Sequence, residues 1–282
     1  MKHLIGIMQG RLTQPKDRGI QFFPFDNWKN EFYIAQQLGL DEIEFIFDYE
    51  NYENNPLWTE EGIQTIKKIT EETNVQINAV CFDYFMRRPF YKADSKGREI
   101  IENENTQIIM RVLSGMKRLG INLLEIPLVD ASSLQNEEEK DNFRKWLISI
   151  ADRTDGFTRF GLETDLQPEV FKQYIESFNR PGIGANYDSG NSSGLGYDVY
   201  KEITTLRDYI FNIHIKDRVY HGTTVQLGSG NADFEQLFRA LQEIQYKHNF
   251  ILQAARGEEG EEEKHISFQM KFVNDYIMKY NV

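Results

Sequence analysis

Four apolar runs in the second half of the chain end in polar side chains: Glu163 in GLETD, Asp188 in NYDSGN, His214 in NIHIKD and Gln253 in FILQA. Carboxylate oxygens and a neutral imidazole nitrogen are donors for one divalent ion, Mn2+, Mg2+ or Co2+, with Zn2+ also accepted by such a set. Each residue has an ordinary alternative. A carboxylate at a strand end often caps the next helix, and Asp188 stands where it would cap the turn at SGNSSG. His214 alone suits a hydrogen-bonded core histidine. Glu, Asp and His on consecutive runs weigh more together than singly, and they carry the chemical expectation. Glu44, Asp83 and Glu125 end or punctuate three earlier runs.

Residues around these four add charge. Strand alternation puts Lys216 on the same face as His214, where an ammonium would neutralise a substrate oxyanion or phosphate. Asp217 follows it, and Arg256 follows Gln253 just before the acidic run GEEGEEE. Arg256 either meets a substrate oxygen or pairs with that run. The glycine-rich turn in LGSGNADFEQL offers backbone N–H groups to an anion, although an ordinary tight turn reads the same way. Aromatic residues cluster in FFPFDNW and CFDYFMRRPFY. There Asp83, Arg87 and Arg88 suit hydroxyls or phosphate, and loops of this kind also serve as lids.

Eight short apolar runs must position these groups: 4–8, 42–47, 75–82, 121–129, 159–164, 183–188, 209–215 and 249–255. They are rich in Ile, Leu, Val and Phe, as strands buried on both faces are. Amphipathic segments of helical period alternate with them: 28–39, 59–73, 98–120, 137–152, 168–178, 197–203, 233–244 and 265–280. Thr59 reads as an N-cap, Pro168 as a first helical residue, and Gly39 and Gly120 as C-terminal stops. Strand–helix alternation predicts parallel strands with helical crossovers, and eight repeats predict a closed α/β barrel, (β/α)8, whose chemistry lies at the C-terminal strand ends. No G-x-G-x-x-G follows the first strand, so a dinucleotide-binding sheet gains no support. No linker composition interrupts residues 1–282, which predicts one domain.

Bulk properties narrow the function classes. The chain has 282 residues, 40% of them hydrophobic and 27% charged, as expected of a globular protein with a large core. Its formal charge of −12 argues against a nucleic-acid surface, which needs basic patches. The single cysteine, Cys81, cannot form an internal disulfide and suits a cytoplasmic setting. No segment approaches a membrane span, and the N-terminal apolar run is too short for a signal peptide. Exposed aromatic loops would suit a homo-oligomer.

The opening IGIMQGRL, the EIE of the second strand, LLEIPL, and the ordered set LET, NYDSGN and HIKD together resemble the xylose isomerase-like sugar phosphate isomerase/epimerase superfamily. The resemblance spans nearly the whole chain through motif order. It implies a TIM barrel, a sugar or sugar phosphate as substrate, and a divalent ion held by Glu163, Asp188, His214 and the residue at 253. Ketose 3-epimerases of that superfamily carry a glutamate there, and both metal-binding glutamates move the proton, on opposite faces of a cis-enediolate. Gln253 can still offer a carbonyl oxygen but cannot act as a base. The resemblance therefore implies Glu163 as the base, with Glu125, Asp83, Asp217 or a water for the return proton. Asn191 stands where many members have a histidine, and Lys216 matches their H-x-K-D lysine. Glu44, Asp83, Asn191, Lys216, Asp217 and Arg256 are the expected substrate contacts, and Glu163, Glu125 and Lys216 the expected catalytic groups. Two alternatives share this barrel: an enolate-forming dehydratase or lyase of the inositol-catabolic type, and a sugar-binding barrel that has lost catalysis at Gln253. The histidine-rich, basic endonuclease branch does not fit five scattered histidines and an acidic chain.

Overall fold

A computed structural model describes residues 3–14 and 19–282. Eight parallel strands close a barrel: β1 (Ile5–Met8), β2 (Glu42–Ile46), β3 (Ala79–Cys81), β4 (Leu123–Leu128), β5 (Arg159–Thr164), β6 (Ile183–Asp188), β7 (Ile210–Ile215) and β10 (Phe250–Leu252). Between the last two lies an antiparallel hairpin, β8 (Asp217–Arg218) with β9 (Thr224–Val225). Neighbours in the barrel follow chain order and β10 returns to β1, so every connection is a helical crossover of the kind parallel pairing requires. The expected strand 75–82 shrinks to Ala79–Cys81, and before it only an isolated bridge joins Gln76 to Glu42.

Local chemistry fixes the helices. Thr59 accepts from the Gly62 amide to start helix Glu60–Thr73, and Pro168 opens helix Pro168–Ser177. Gly39 and Gly120 close their helices with φ of 79° and 75°, conformations that cost glycine nothing. The long helix begins earlier than its periodicity suggests, at Ser95, because Asp94 caps it by accepting from the Gly97 amide. SGNSSG, expected as loop, starts a short helix, Ser189–Leu195, capped by Asp188. No helix among the described residues is long and apolar enough to cross a membrane.

Strand alternation divides each strand between two cores. Ile43 and Phe45 of β2 are fully buried hydrophobics in the cluster that packs the helices on the barrel, while Glu42 and Glu44 alternate with them. The barrel interior is consequently rich in polar groups, as a site-bearing barrel requires. The aromatic loop residues Phe23, Phe82, Tyr84, Phe85, Phe90 and Tyr91 belong to the hydrophobic core. Arg88 pairs with Glu104, so its expected role toward a hydroxyl or phosphate is replaced by a structural ion pair.

Three buried glutamates tie stability to pH. Burial pushes Glu31, Glu42 and Glu202 each up to about 7, against the offsetting hydrogen bonds each accepts. A carboxyl whose folded pKa lies above its unfolded value binds protons more tightly in the folded state. Stability then falls as pH rises from the unfolded pKa, 4.5, through about 7, and is level above that window. In the presence of a chelator, the urea midpoint is expected to be higher near pH 5.5 than near pH 8, by on the order of 6 kcal/mol in unfolding free energy, about 2 kcal/mol for each glutamate. A midpoint that rises between those two pH values would contradict the burial of these groups.

Candidate active site and metal centre

Glu163, Asp188 and His214 come from β5, β6 and β7, with Asp188 and His214 directly paired in register. One ligand atom from each lies within 4.8 Å of the others, and the three side chains are buried. Two carboxylates and an imidazole at the C-terminal strand ends are a donor set that fits a divalent ion. Asp188 divides its oxygens. Oδ1 accepts from the Gly190 and Asn191 amides at 2.8 Å each, capping the following helix. Oδ2 instead faces the ammonium of Lys216 at 3.1 Å. Capping and a second oxygen turned toward Lys216 thus coexist in one residue.

His214 lies between two carboxylates, with Nε2 3.0 Å from Glu44 Oε1 and Nδ1 3.3 Å from Glu163 Oε2. Burial pulls its pKa down, but the Glu44 and Glu163 carboxylates outweigh that and hold it well above the usual histidine value. Glu163 accepts from Asn186 Nδ2 at 3.1 Å through Oε2 and from Asn191 Nδ2 through Oε1. A cavity of about 490 Å³ opens above these groups, lined by Gln21, Asp83, Glu125, Glu163, Lys216 and Gln253 among others. A slightly larger depression, about 550 Å³, lies outside the barrel and touches none of Glu163, Asp188 and His214.

Gln253 reaches this cavity from just past β10 and uses both ends of its amide. Oε1 accepts from Lys216 Nζ at 3.4 Å, and Nε2 donates to Gln21 Oε1 at 3.0 Å. Gln21 in turn donates to Asp83 Oδ2 at 3.0 Å. The lysine ammonium also contacts Asn191 Oδ1 at 3.2 Å, and Arg218 Nη1 donates to that oxygen at 3.0 Å. Glycine at 190 admits the Lys216 stem, because a Cβ there would stand 2.5 Å from its Cγ.

Glu125 lies at the cavity wall with 1% exposure, and neither carboxylate oxygen has a hydrogen-bond partner among the described residues. Burial, reinforced by the Glu163 charge, pushes its pKa well above the usual carboxylate range. Asp83 is raised by burial to about 6, against the lowering effect of the Gln21 hydrogen bond. Glu44, Cys81 and Glu125 form a second close group, with ligand atoms within 4.8 Å of one another.

Three expected substrate contacts are committed elsewhere. The Asp217 carboxylate is fully buried and accepts from the Gly228, Gly230 and Ala232 amides at 2.9, 2.9 and 3.0 Å. The anion that the glycine-rich turn receives is therefore a side chain of the same protein. Arg256 donates to the carbonyls of Thr13, Gly10 and Ile20, stapling the loop after β1, and stacks over Phe22. It meets neither the cavity nor the acidic run through a hydrogen bond. Glu44 does not line the cavity, and both its oxygens are engaged inside the barrel. Asp83, Asn191 and Lys216 do line it.

Several site residues escaped the sequence reading. Asn186 and Asn212 stand two residues before Asp188 and His214, and strand alternation alone would have placed them on the inward face. Gln21 and Arg11 come from the irregular loop after β1, where no period marks them. Arg11 Nη2 reaches the Gln253 carbonyl at 3.4 Å, and burial, then the nearby Arg256 charge, lowers the guanidinium to about 9.

Residues 32–275 match the family model of the xylose isomerase-like TIM barrel, so the chain belongs to that family. Its relatives are more specific. A Haemophilus influenzae protein named "Putative L-ribulose-5-phosphate 3-epimerase SgbU" is 23% identical over 267 residues, spanning 89% of this chain and 88% of its own. The structure of a D-allulose 3-epimerase from Methylomonas sp. superposes with a TM-score of 0.74 at 15% identity, covering 98% of this chain and 99% of the other. The IOLI protein with a bound zinc atom gives a TM-score of 0.74 at 19% identity, over 98% and 99% of the two chains.

Proposed function

We propose that this protein is a divalent-metal-dependent isomerase or epimerase of a sugar or sugar phosphate. The observation that carries the reading is the convergence of Glu163, Asp188 and His214 beneath a polar cavity at the C-terminal strand ends. Relatives named as pentulose-phosphate and hexulose epimerases, and a zinc-bound structural neighbour, support the substrate class and the cofactor. A divalent ion held by these three residues and the Gln253 carbonyl oxygen would polarise a carbonyl and so acidify the neighbouring C–H.

Glu163 is the base. Its carboxylate borders the cavity, where Asn186 and Asn191 hold it by one hydrogen bond to each oxygen. Lys216, beside Asp188 and Gln253, places positive charge where a substrate oxyanion would gather it. Glu125, raised by burial above the usual carboxylate range and on the strand next to that of Glu163, is the group from which a second proton transfer would come. Gln253 favours the one-base version, an aldose–ketose isomerisation with the proton moved on a single face, because an amide cannot take the opposite one. Deuterium exchange at the carbon beside the carbonyl, across ketoses and their phosphates, tests this reading. Binding without exchange for every sugar in the panel would point instead to a sugar-binding barrel.

Gln253→Glu tests the fourth corner of the centre. The change adds a charge to the ligand set, and removes the amide N–H that Gln21 accepts. Divalent-ion affinity is expected to rise about tenfold, since ligand charge tunes such sites. Unchanged metal content and affinity would place residue 253 outside the centre.

A further inference from the structure

We propose that Glu44 is a positioning residue of the metal centre, holding the Nε2 proton of His214 so that the Nδ1 lone pair is the one offered to a divalent ion. The inference rests on the metal-centre reading above and adds a residue to it that touches neither ion nor substrate.

The geometry is specific. Glu44 lies on β2 and His214 on β7, two strands that are not neighbours, since β1 and β10 stand between them in the barrel order. Their contact therefore crosses the barrel interior. Both side chains are fully buried, and Glu44 Oε1 is 3.0 Å from His214 Nε2. The second carboxylate oxygen is also engaged, by Asn212 Nδ2 at 2.7 Å. Asn212 precedes His214 by two residues and shares its face, so one strand presents the ligand and the brace that steadies its partner.

The other ring nitrogen faces the opposite way. Nδ1 is 3.3 Å from Glu163 Oε2 and 3.2 Å from Asn186 Nδ2, an amide that also donates to that glutamate oxygen at 3.1 Å. Asp188, the third member, is paired in register with His214, and one of its oxygens lies within 4.8 Å of a ring nitrogen of His214 and of a Glu163 oxygen. An ion between Glu163 and Asp188 would thus meet Nδ1 and not Nε2. A carboxylate on the far nitrogen of a ligating histidine fixes the tautomer, orients the ring and raises its basicity. Its burial explains why Glu44, expected from sequence to bind substrate, does not border the cavity.

The test uses the full chain and zinc as the probe. Glu44→Gln keeps the shape of the side chain and removes its charge. Competition titration is expected to show zinc bound 10- to 100-fold more weakly than by the wild type. In zinc-loaded wild-type protein labelled at histidine nitrogens, nitrogen NMR is expected to find zinc on Nδ1 of His214 and a slowly exchanging proton on Nε2. That proton should exchange faster in the variant. Equal zinc affinity in wild type and variant, or zinc on Nε2, would overturn the inference and leave the centre intact. Wild-type protein that binds no zinc, manganese or cobalt would overturn the centre itself. Should the Glu44 variant fail to fold, Asn212→Ala removes only the brace and is expected to weaken zinc in the same direction; unchanged affinity there would again overturn the proposal.

Discussion

Glu163→Gln is expected to lower kcat by about a thousandfold with a sugar that the wild type turns over, because positioned proton transfer contributes roughly 10²- to 10⁴-fold. The amide has the same size and can still accept from Asn186 or Asn191, so the fold and the cavity should survive. What it cannot do is take a proton. Exchange of the substrate C–H with solvent should fall in parallel with kcat, whereas KM should move far less. Metal affinity is expected to weaken as well, since one of two charged ligands is lost. Measuring exchange in protein saturated with the ion separates the two effects. If the saturated variant still exchanges the substrate proton within about threefold of wild type, the base lies elsewhere, and Glu125 becomes the next residue to replace.

The barrel was largely readable because buried parallel strands leave short apolar runs. The expected strands 159–164 and 183–188 coincide with Arg159–Thr164 and Ile183–Asp188, where a polar residue marks the end. VQINAVCF failed as a full strand because an apolar run shows burial without showing whether its amides join a ladder. SGNSSGL reads as loop because glycine and serine are poor helix formers, yet the Asp188 cap and packing in the barrel outweigh propensity there. The same logic governs the site. Residue types at strand ends placed Glu163, Asp188 and His214 near one another, but a sequence cannot say which carboxylate faces a cavity and which a backbone. Asp217 and Arg256 are the clearest cases. Both follow strand ends, both carry charge, and both are spent on loop backbone that only the folded chain brings to them. Gln21, 232 residues from the Gln253 it contacts, left no sequence signal at all.

Asp217 accordingly supports the largest stability prediction. Its carboxylate gathers three amides of the turn that leads into helix Phe234–Glu243, and its neighbour Lys216 reaches Asp188. The fit is close: a Cβ on Gly230 would stand 2.2 Å from Asp217 Oδ1, so the turn needs glycine there as much as it needs the carboxylate. Asp217→Ala orphans three donors at once. Each buried unsatisfied group costs about 1–3 kcal/mol, and water entering a relaxed turn returns part of that, so the expected loss is about 4 kcal/mol. It should appear as a lower urea midpoint with an unchanged slope, and as faster hydrogen exchange at the Gly228, Gly230 and Ala232 amides. Asp217→Asn keeps one acceptor oxygen but turns an N–H toward a donor, and should fall between the two. A loss below about 1 kcal/mol for the alanine variant would mean that water already serves these amides and that the turn does not depend on the carboxylate. Were substrate affinity to collapse while stability and amide exchange stayed at wild-type levels, Asp217 would have to be returned to the substrate site.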